Sequence, residues 1–363
     1  MKMSKKTVVV GLSGGVDSAV TASLMLDKGY EVIGVFMKNW DDKEDPHCPA
    51  AVDAIDARSV AGTLGIPFYT VNFSKEYWNH VFDYFLEEHR QNRTPNPDIL
   101  CNKFIKFNAF LKYAQELGAD YIATGHYAKN YYNSDTNLYE LQVPKDANKD
   151  QTYFLYTLGQ EALAKTFFPL AEFTKPEIRA IAQSKDFSNA KKKDSTGICM
   201  VGERDYMEFL KKYIHQKPGN IVSEKGDILG QHIGLSFYTM GQRKNLNIGG
   251  VKGYEEKPWF VLEKNLEKNE IVACQDADNP KLLKLNLRAT KIHWVSGKAP
   301  SNSFKCFAKI RYRQDSQSCE VQQANMETLE VTFIDPQRAI TGGQSIVFYD
   351  ETNQICLGGG EIC

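Results

Sequence analysis

No stretch of this 363-residue chain reaches the roughly 18 consecutive apolar residues that a membrane-crossing helix needs, so no transmembrane protein is expected. Cysteine occurs eight times, but never as a CxxC pair, and no paired Cys/His cluster has structural-zinc spacing; His47-Cys48 alone is too little for a metal site. Six residues precede the first strand-like run at Thr7, too few for a secretory or organellar leader, and a cytoplasmic address is the expectation. In a reducing compartment most cysteines should be buried small hydrophobes, and any that matter should be reactive thiols rather than disulfide staples. Neither GxxxxGK followed by Ser or Thr nor GxGxxG is present, which argues against a typical P-loop hydrolase and a dinucleotide-binding fold. Acidic residues are missing from 281–313, where nine Lys or Arg occur, although the net charge of the whole chain is only −1. Such a locally basic stretch suits a polyanion, or else a solvated strand surface.

What is present has the composition of an ordinary globular protein, 42% hydrophobic and 25% charged, in a chain long enough for two or three domains. Apolar runs at 7–12, 31–36, 68–73 and 120–124 alternate with helix-period segments near 18–28, 50–64, 75–90 and 103–117. That alternation predicts a doubly wound parallel sheet with crossover helices, whose ligand site lies where the loops after Leu12, Phe36 and Thr124 converge. Beyond about residue 200 the runs shorten, and from about 281 strands such as FKCFAKIRYR, LEVTFI and QSIVFYD predict a small antiparallel β-barrel. The expected division is 1–204, an α/β domain; 205–280, a small central mixed or β domain; and 281–363, the barrel.

The first of the converging loops reads SGGVDS at 13–18. Small residues after a buried strand, with a helix opening behind them, supply free backbone N–H groups at a positive helix end, the parts of a phosphate cradle. The motif resembles the pyrophosphate loop of ATP pyrophosphatases, enzymes that adenylate an oxygen and release pyrophosphate. On that reading Asp17 would assist a magnesium ion held mainly by the nucleotide phosphates. A plain strand-to-helix turn tolerates glycine, but it does not call for this combination.

Two cysteines stand in unusual settings. Cys101 follows two X-Pro steps in RTPNPDILCNKFIKF, with a helix pattern starting within a few residues and Lys103 and Lys106 nearby. Cys199 follows three lysines and a Gly-bearing turn in KKKDSTGICMVGER. Positive surroundings favour the thiolate in both cases. Taken singly each reads as a buried packing residue before a catalytic one, and nothing in the spacing brings the two together.

In order along the chain, SGGVDSAV, VFMKNW, RTPNPDILCNKFIKF, ATGHYA, NKDQTYFLYTL, KKKDSTGICMVGER, HIGLSFYTMGQRK, RYRQ and GGQSIVFYD…CLGGG resemble segments of the bacterial tRNA-specific 2-thiouridylases. The resemblance covers nearly the whole chain. It implies an enzyme that uses ATP with Mg²⁺ to adenylate the C2 oxygen of a wobble uridine in tRNA and replaces that oxygen with sulfur from a cysteine persulfide. It assigns the persulfide to Cys199, with Cys101 as its partner thiol and a Cys101–Cys199 disulfide left afterwards. Carried over motif by motif, ATP contacts fall on Gly11, Leu12, Ser13, Gly14, Gly15, Val16, Asp17 and Ser18, on Met37, and on Gly125. Asn96, Pro97 and Asp98 would contact the target base; His126, Lys149, Asp150, Gln151, Arg311, Tyr312 and Gln344 would contact tRNA. A cysteine desulfurase or a sulfur-relay protein would supply the sulfur. On the residues alone, His126 reads better as a satisfied structural histidine and Tyr312 as barrel core. One departure is GQRKNLNIGG, where glycines are expected at Asn245 and Asn247; asparagine tolerates left-handed backbone, so the turn should be kept. A different adenylating enzyme with the same loop would leave both thiols dispensable; a tRNA-binding or sulfur-carrier protein that has lost catalysis would release no pyrophosphate with tRNA, and the intact SGGVDS argues against it.

Overall fold

The structure, a computed structural model, describes residues 5–40, 49–194, 206–325 and 327–363. Its first layer is a parallel sheet of β1 (Thr7–Gly11), β2 (Glu31–Lys38), β3 (Phe68–Asn72) and β4 (Tyr121–Ala123), extended after a hairpin by the short β7 (Thr166–Phe167), in the order β3-β2-β1-β4-β7. The hairpin itself is β5 (Lys129–Asn133) and β6 (Leu138–Gln142). Because β1 is flanked by β2 on one side and β4 on the other, the strand order reverses beside it, and the carboxyl ends of β1 and β4 frame the crevice where open α/β sheets bind ligands.

The period-2 alternation in β1 buries both faces. Val8 and Val10 pack with Ala22 and Met25 of α1 (Val16–Asp27) and with Ala57 and Ala61 of α2 (Pro49–Leu64), whereas Val9 joins Ile105 and Phe110 on the opposite face. Each such side chain contributes about 1.5–3 kcal/mol by leaving water. Helical residues 74–90 and 97–116 cover the second face, and each has a stretch of i→i−5 bonding, over Trp78–Phe82 and Cys101–Ala109.

A second, mixed sheet follows, with β8 (Gly219–Ser223), β9 (Ile228–His232), β10 (Phe260–Asn265) and β11 (Glu270–Cys274) in the order β10-β11-β8-β9. The short helix Tyr206–Lys211 ahead of it is docked on the first domain, its Phe209 ring 6.0 Å from Trp40 and 6.0 Å from Phe82.

The last six strands are β12 (Leu283–Trp294), β13 (Ser303–Lys309), β14 (Gln317–Gln323), β15 (Leu329–Arg338), β16 (Ser345–Tyr349) and β17 (Ile355–Ile362). They close into an antiparallel barrel in the order β12-β15-β14-β13-β16-β17, with β17 pairing back to β12. The β5–β6 hairpin is an unforeseen addition: it leaves the first domain and joins the barrel through β6 and β17. Cys306, Cys319 and Cys356 are buried in strands, as small hydrophobes. No helix among the described residues is long and apolar enough to cross a membrane.

Candidate functional site

The SGGVDS loop leaves β1 and bonds mostly to itself. Ser18 Oγ donates to Gly15 O at 3.0 Å and accepts from Ser13 N at 3.1 Å, and the Ser13 and Ser18 hydroxyls lie 3.2 Å apart. Gly15 caps α1 in extended backbone without any side-chain hydrogen bond, so the first-turn N–H groups of that helix are left for a ligand or water. Gly14 has φ +78°, and a Cβ there would sit 2.4 Å from the carbonyl oxygen of Asp53, so only glycine fits both the conformation and the approach of α2. Asn189 Nδ2 donates to Gly14 O at 2.9 Å and holds the loop from the other side.

The strand ends converge as their order predicts. A Cβ on Gly11 would lie 3.1 Å from Met37 Cε, and a Cβ on Gly125 would lie 2.9 Å from Ser18 N. Asp17, on the first turn of α1, accepts two bonds from Lys175 Nζ, at 2.7 and 2.8 Å, and one from Tyr127 OH at 2.9 Å. The same ammonium lies 2.7 Å from Asp194, which also takes Lys149 at 2.7 Å and Arg179 at 3.0 Å. Sequence reasoning missed Lys175, Tyr127, Asn189 and Asp194. The TKPE of the Thr174 capping box announces a helix start, but nothing in it says that the helix aims a lysine at residue 17.

Cys101 lies on the helical stretch that begins after Asn96. Asn96 Oδ1 accepts the Asp98 N–H at 3.1 Å, Pro97 takes the first helical position, and Cys101 follows one turn further in, 4% exposed. The sequence suggested a thiol near the helix start; in the structure its N–H already bonds back to Pro97 O, so Cys101 stands inside the helix rather than at its open end. Burial raises the Asp98 carboxyl above its ordinary range, against the pull of Lys106. Lys106 Nζ lies 3.2 Å from His126 Nε2, and His126 Nδ1 lies 2.8 Å from Thr124 Oγ1. An ammonium can only donate, so Nε2 accepts and Nδ1 carries the proton; burial, reinforced by Lys106, keeps the ring neutral.

Asn96, Pro97 and Asp98 form one wall of a cavity of about 480 Å³ at the junction of all three parts of the chain. Phe154 and Tyr312, ring centroids 4.3 Å apart, form another wall, and Gln242 and Asn245 from the segment after β9 form a third. Asn245 and Asn247 have φ of 64° and 51°, so both take the left-handed backbone expected where glycine was missing.

The comparisons with known proteins fall on this framework. Residues 6–203 match the family described as tRNA methyl transferase HUP domain, 207–275 the tRNA methyl transferase PRC-barrel domain, and 284–362 the aminomethyltransferase beta-barrel domain. The tRNA-specific 2-thiouridylase MnmA of Francisella tularensis subsp. holarctica is 53% identical over 361 residues, 99% of this chain and 100% of that protein. The chain belongs to the tRNA-specific 2-thiouridylase family. The same enzyme of Francisella tularensis subsp. novicida is 52% identical over the same share of both chains. Among solved structures, the NMN synthetase of Francisella tularensis overlays at TM-score 0.33 and 19% identity, over 56% of this chain and 71% of that one, too loosely to carry an argument.

Other residues that the 2-thiouridylase resemblance singled out are placed unevenly. Cys199 lies outside the described residues. Gln344 and Tyr312 line the cavity. Lys149 is paired with Asp194. Asp150 is buried, 2.8 Å from Lys309, and also accepts from Thr152, while Gln151 Oε1 accepts from Tyr127 N at 2.9 Å. Arg311 donates to the carbonyls of Arg338 and Ala339. His126 has both ring nitrogens occupied, the structural-histidine reading of the sequence. The acid-free stretch is therefore less of a polyanion face than its composition suggested: Lys281, Arg288, Lys291 and Lys309 pair with Glu224, Glu330, Glu361 and Asp150. Among the described residues no group of three or more His, Cys, Asp or Glu could hold a metal ion.

Proposed function

We propose that this member of the family performs ATP-dependent 2-thiolation of the wobble uridine of tRNA, as a sulfurtransferase that adenylates the base before replacing its C2 oxygen. The observation that carries the reading is the span of one helical stretch: Asp98 lines the three-part cavity, Cys101 is buried one turn behind it, and Lys106, eight residues beyond Asp98, reaches His126 beside Gly125 and the SGGVDS loop. Nucleotide and base would meet across that helix.

In this scheme the first-turn N–H groups of α1 take the pyrophosphate of ATP, and Asp17, beside that loop, would be the carboxylate to hold a magnesium ion accompanying the nucleotide, which would neutralise phosphate charge. One carboxylate beside the loop suits an ion held mainly by phosphates. The uridine leaves the anticodon stack, enters the cavity against Tyr312 and Phe154, and presents its C2 oxygen to the α-phosphorus; the P–O bond forms as pyrophosphate departs. Asp98, its carboxyl raised above the ordinary range by burial, is placed to hold a proton for the base.

Sulfur arrives as a persulfide on Cys199, loaded by a cysteine desulfurase or a sulfur-relay protein. Attack by the Cys101 thiolate on the Cys199 sulfur releases hydrosulfide and forms a Cys101–Cys199 disulfide; hydrosulfide adds at C2 and AMP leaves. Direct attack by the terminal persulfide sulfur on C2 ends in the same disulfide, and either route needs a thiol reductant for the next turnover. A reducing cytoplasm supplies one. The methyl-transfer wording of the matched domain descriptions has no counterpart in a loop suited to pyrophosphate release.

Nucleoside mass spectrometry tests the reading. Unmodified tRNA incubated with the protein, ATP, magnesium, and a desulfurase with cysteine should gain 2-thiouridine, and Cys199→Ser should abolish it. Thiolation that persists in Cys199→Ser removes the persulfide assignment. Pyrophosphate release with tRNA but no thiolation by wild type keeps the loop reading and rejects the acceptor or the sulfur source.

A further inference from the structure

We infer that the central domain and the barrel are built into the active site, because Lys264, Gln344 and Glu361 fix the segment Asn92–Thr94 that sets Asn96–Asp98 and Cys101 in place. These three are positioning residues, and the inference rests on the thiolation reading for its kinetic consequence.

The segment leaves helical residues 74–90 through Asn92, at φ 59°, and is held residue by residue from outside its own domain. Asn92 O accepts Lys264 Nζ from β10 at 3.0 Å. The Arg93 guanidinium bonds Glu88 Oε2 at 2.6 Å within its own domain, then reaches the barrel, donating to Glu361 and, at 3.1 Å, to Ile362 O on β17. Thr94 N donates to Gly342 O at 2.9 Å, Thr94 O accepts Gln344 Nε2 at 2.7 Å, and Thr94 Oγ1 lies 3.2 Å from Thr239 Oγ1. Pro95 and Pro97 come next, each with φ restricted by its ring, so the placement of Thr94 is passed to Asn96 and the helix start with little slack.

The anchoring groups are themselves secured. Glu361 also receives Lys291 Nζ at 3.1 Å and Tyr84 OH, so its carboxylate joins two domains. Lys264 is desolvated, which lowers its ammonium to about 8, and a cation so placed needs the carbonyl it holds. Gln344, which the sequence suggested as a tRNA contact, spends a side-chain N–H on Thr94 O. A general base or thiol displaced by a fraction of an ångström loses rate while its substrate still binds.

The test uses the full-length protein with Gln344→Ala and Glu361→Gln, read by thiolation kinetics on unmodified tRNA and by peptide-resolved alkylation of Cys101 after reduction. The expected result is a kcat lower by about tenfold in each variant, with the KM for tRNA within about twofold of wild type. Cys101 alkylation should quicken several-fold as its helix start loosens. Unchanged kcat, or a raised tRNA KM at unchanged kcat, overturns the inference; the latter makes Gln344 a tRNA contact. Should Glu361→Gln unfold, Gln344→Ala alone decides. Should wild type fail to thiolate, the functional reading falls, and the alkylation comparison still decides the positioning claim: equal rates in wild type and Gln344→Ala overturn it.

Discussion

Replacing Gly125 by alanine isolates the contact between the β4 end and the nucleotide loop. The added Cβ would lie 2.9 Å from both Asp17 C and Ser18 N, and 3.1 Å from Asp17 Cβ. Ordinary van der Waals contact begins near 3.4 Å, so the two backbones must separate by about 0.5 Å. Neither side yields easily. Asp17 is held by Lys175 and Tyr127, and Thr124 N is bonded to Phe167 O at 3.2 Å in the sheet. Overpacking of this kind costs about 1–3 kcal/mol in stability. Since misplacement by about 1 Å costs about 100-fold in rate, half of that predicts about a tenfold loss. The assay is tRNA-dependent pyrophosphate release against ATP concentration, where kcat/KM for ATP should fall about tenfold and the KM for tRNA stay put. Melting should drop by a few degrees. An alanine variant with ATP kinetics within about twofold of wild type would refute the placement of Gly125 at the nucleotide.

Three further outcomes follow from the charge networks. Asp17→Asn leaves the Lys175 ammonium, 11% exposed, with Asp194 as its remaining carboxylate among the described residues; it should cost about 1–3 kcal/mol in calorimetry and raise the magnesium concentration needed for half-maximal pyrophosphate release. His89, held neutral by burial between Ser236 O and Tyr206 OH, has its pKa lowered to about 4. Its folded pKa is below the unfolded one, so its share of stability is intact above pH 6.5 and is lost as pH falls from 6.5 toward 4, up to about 3 kcal/mol. Urea titrations of wild type and His89→Gln across that window should show the slope only in wild type. Lys309→Met should lower the melting temperature by stranding Asp150, yet leave the salt dependence of tRNA binding unaltered; a shallower salt slope would make Lys309 a phosphate contact.

Much of the first domain was legible because its determinants are local. Runs such as TVVVG and EVIGVF are too apolar to face water on either side, and the SGG turn between strand and helix has one fold context in which it makes sense. Asn245 and Asn247 were readable because the family resemblance calls for glycine there and asparagine tolerates left-handed backbone. The β5–β6 hairpin was not, because its strands alternate weakly and acquire a reason to pair only when β17 arrives from over 200 residues away. Charge misled most. Lys309 and Asp150 are 159 positions apart and Lys291 and Glu361 are 70 apart, so counting acids along the chain could not reveal that the basic stretch brings its counter-charges from elsewhere in the fold.

The helix behind Cys101 joins the legible and the illegible. Asp98 and Cys101, three positions apart, share a face in an ordinary helix; Lys106, five positions beyond Cys101, does not. Over Cys101–Ala109 the bonding widens to i→i−5, with Phe110 N reaching back to Ile105 O, and residues five apart are brought over one another. That widening lets Lys106 act on Asp98 and still touch His126. Widened turns are less favourable than α-helical ones and persist where the surroundings hold them, here through Asn102 Nδ2 on Phe154 O at 2.9 Å and through Phe107 packed 5.9 Å from Phe168. The residue types at 98, 101 and 106 can be read from the sequence. That Lys106 acts on Asp98 depends on a helical geometry that Phe154 and Phe168, some fifty to sixty residues on, help to impose.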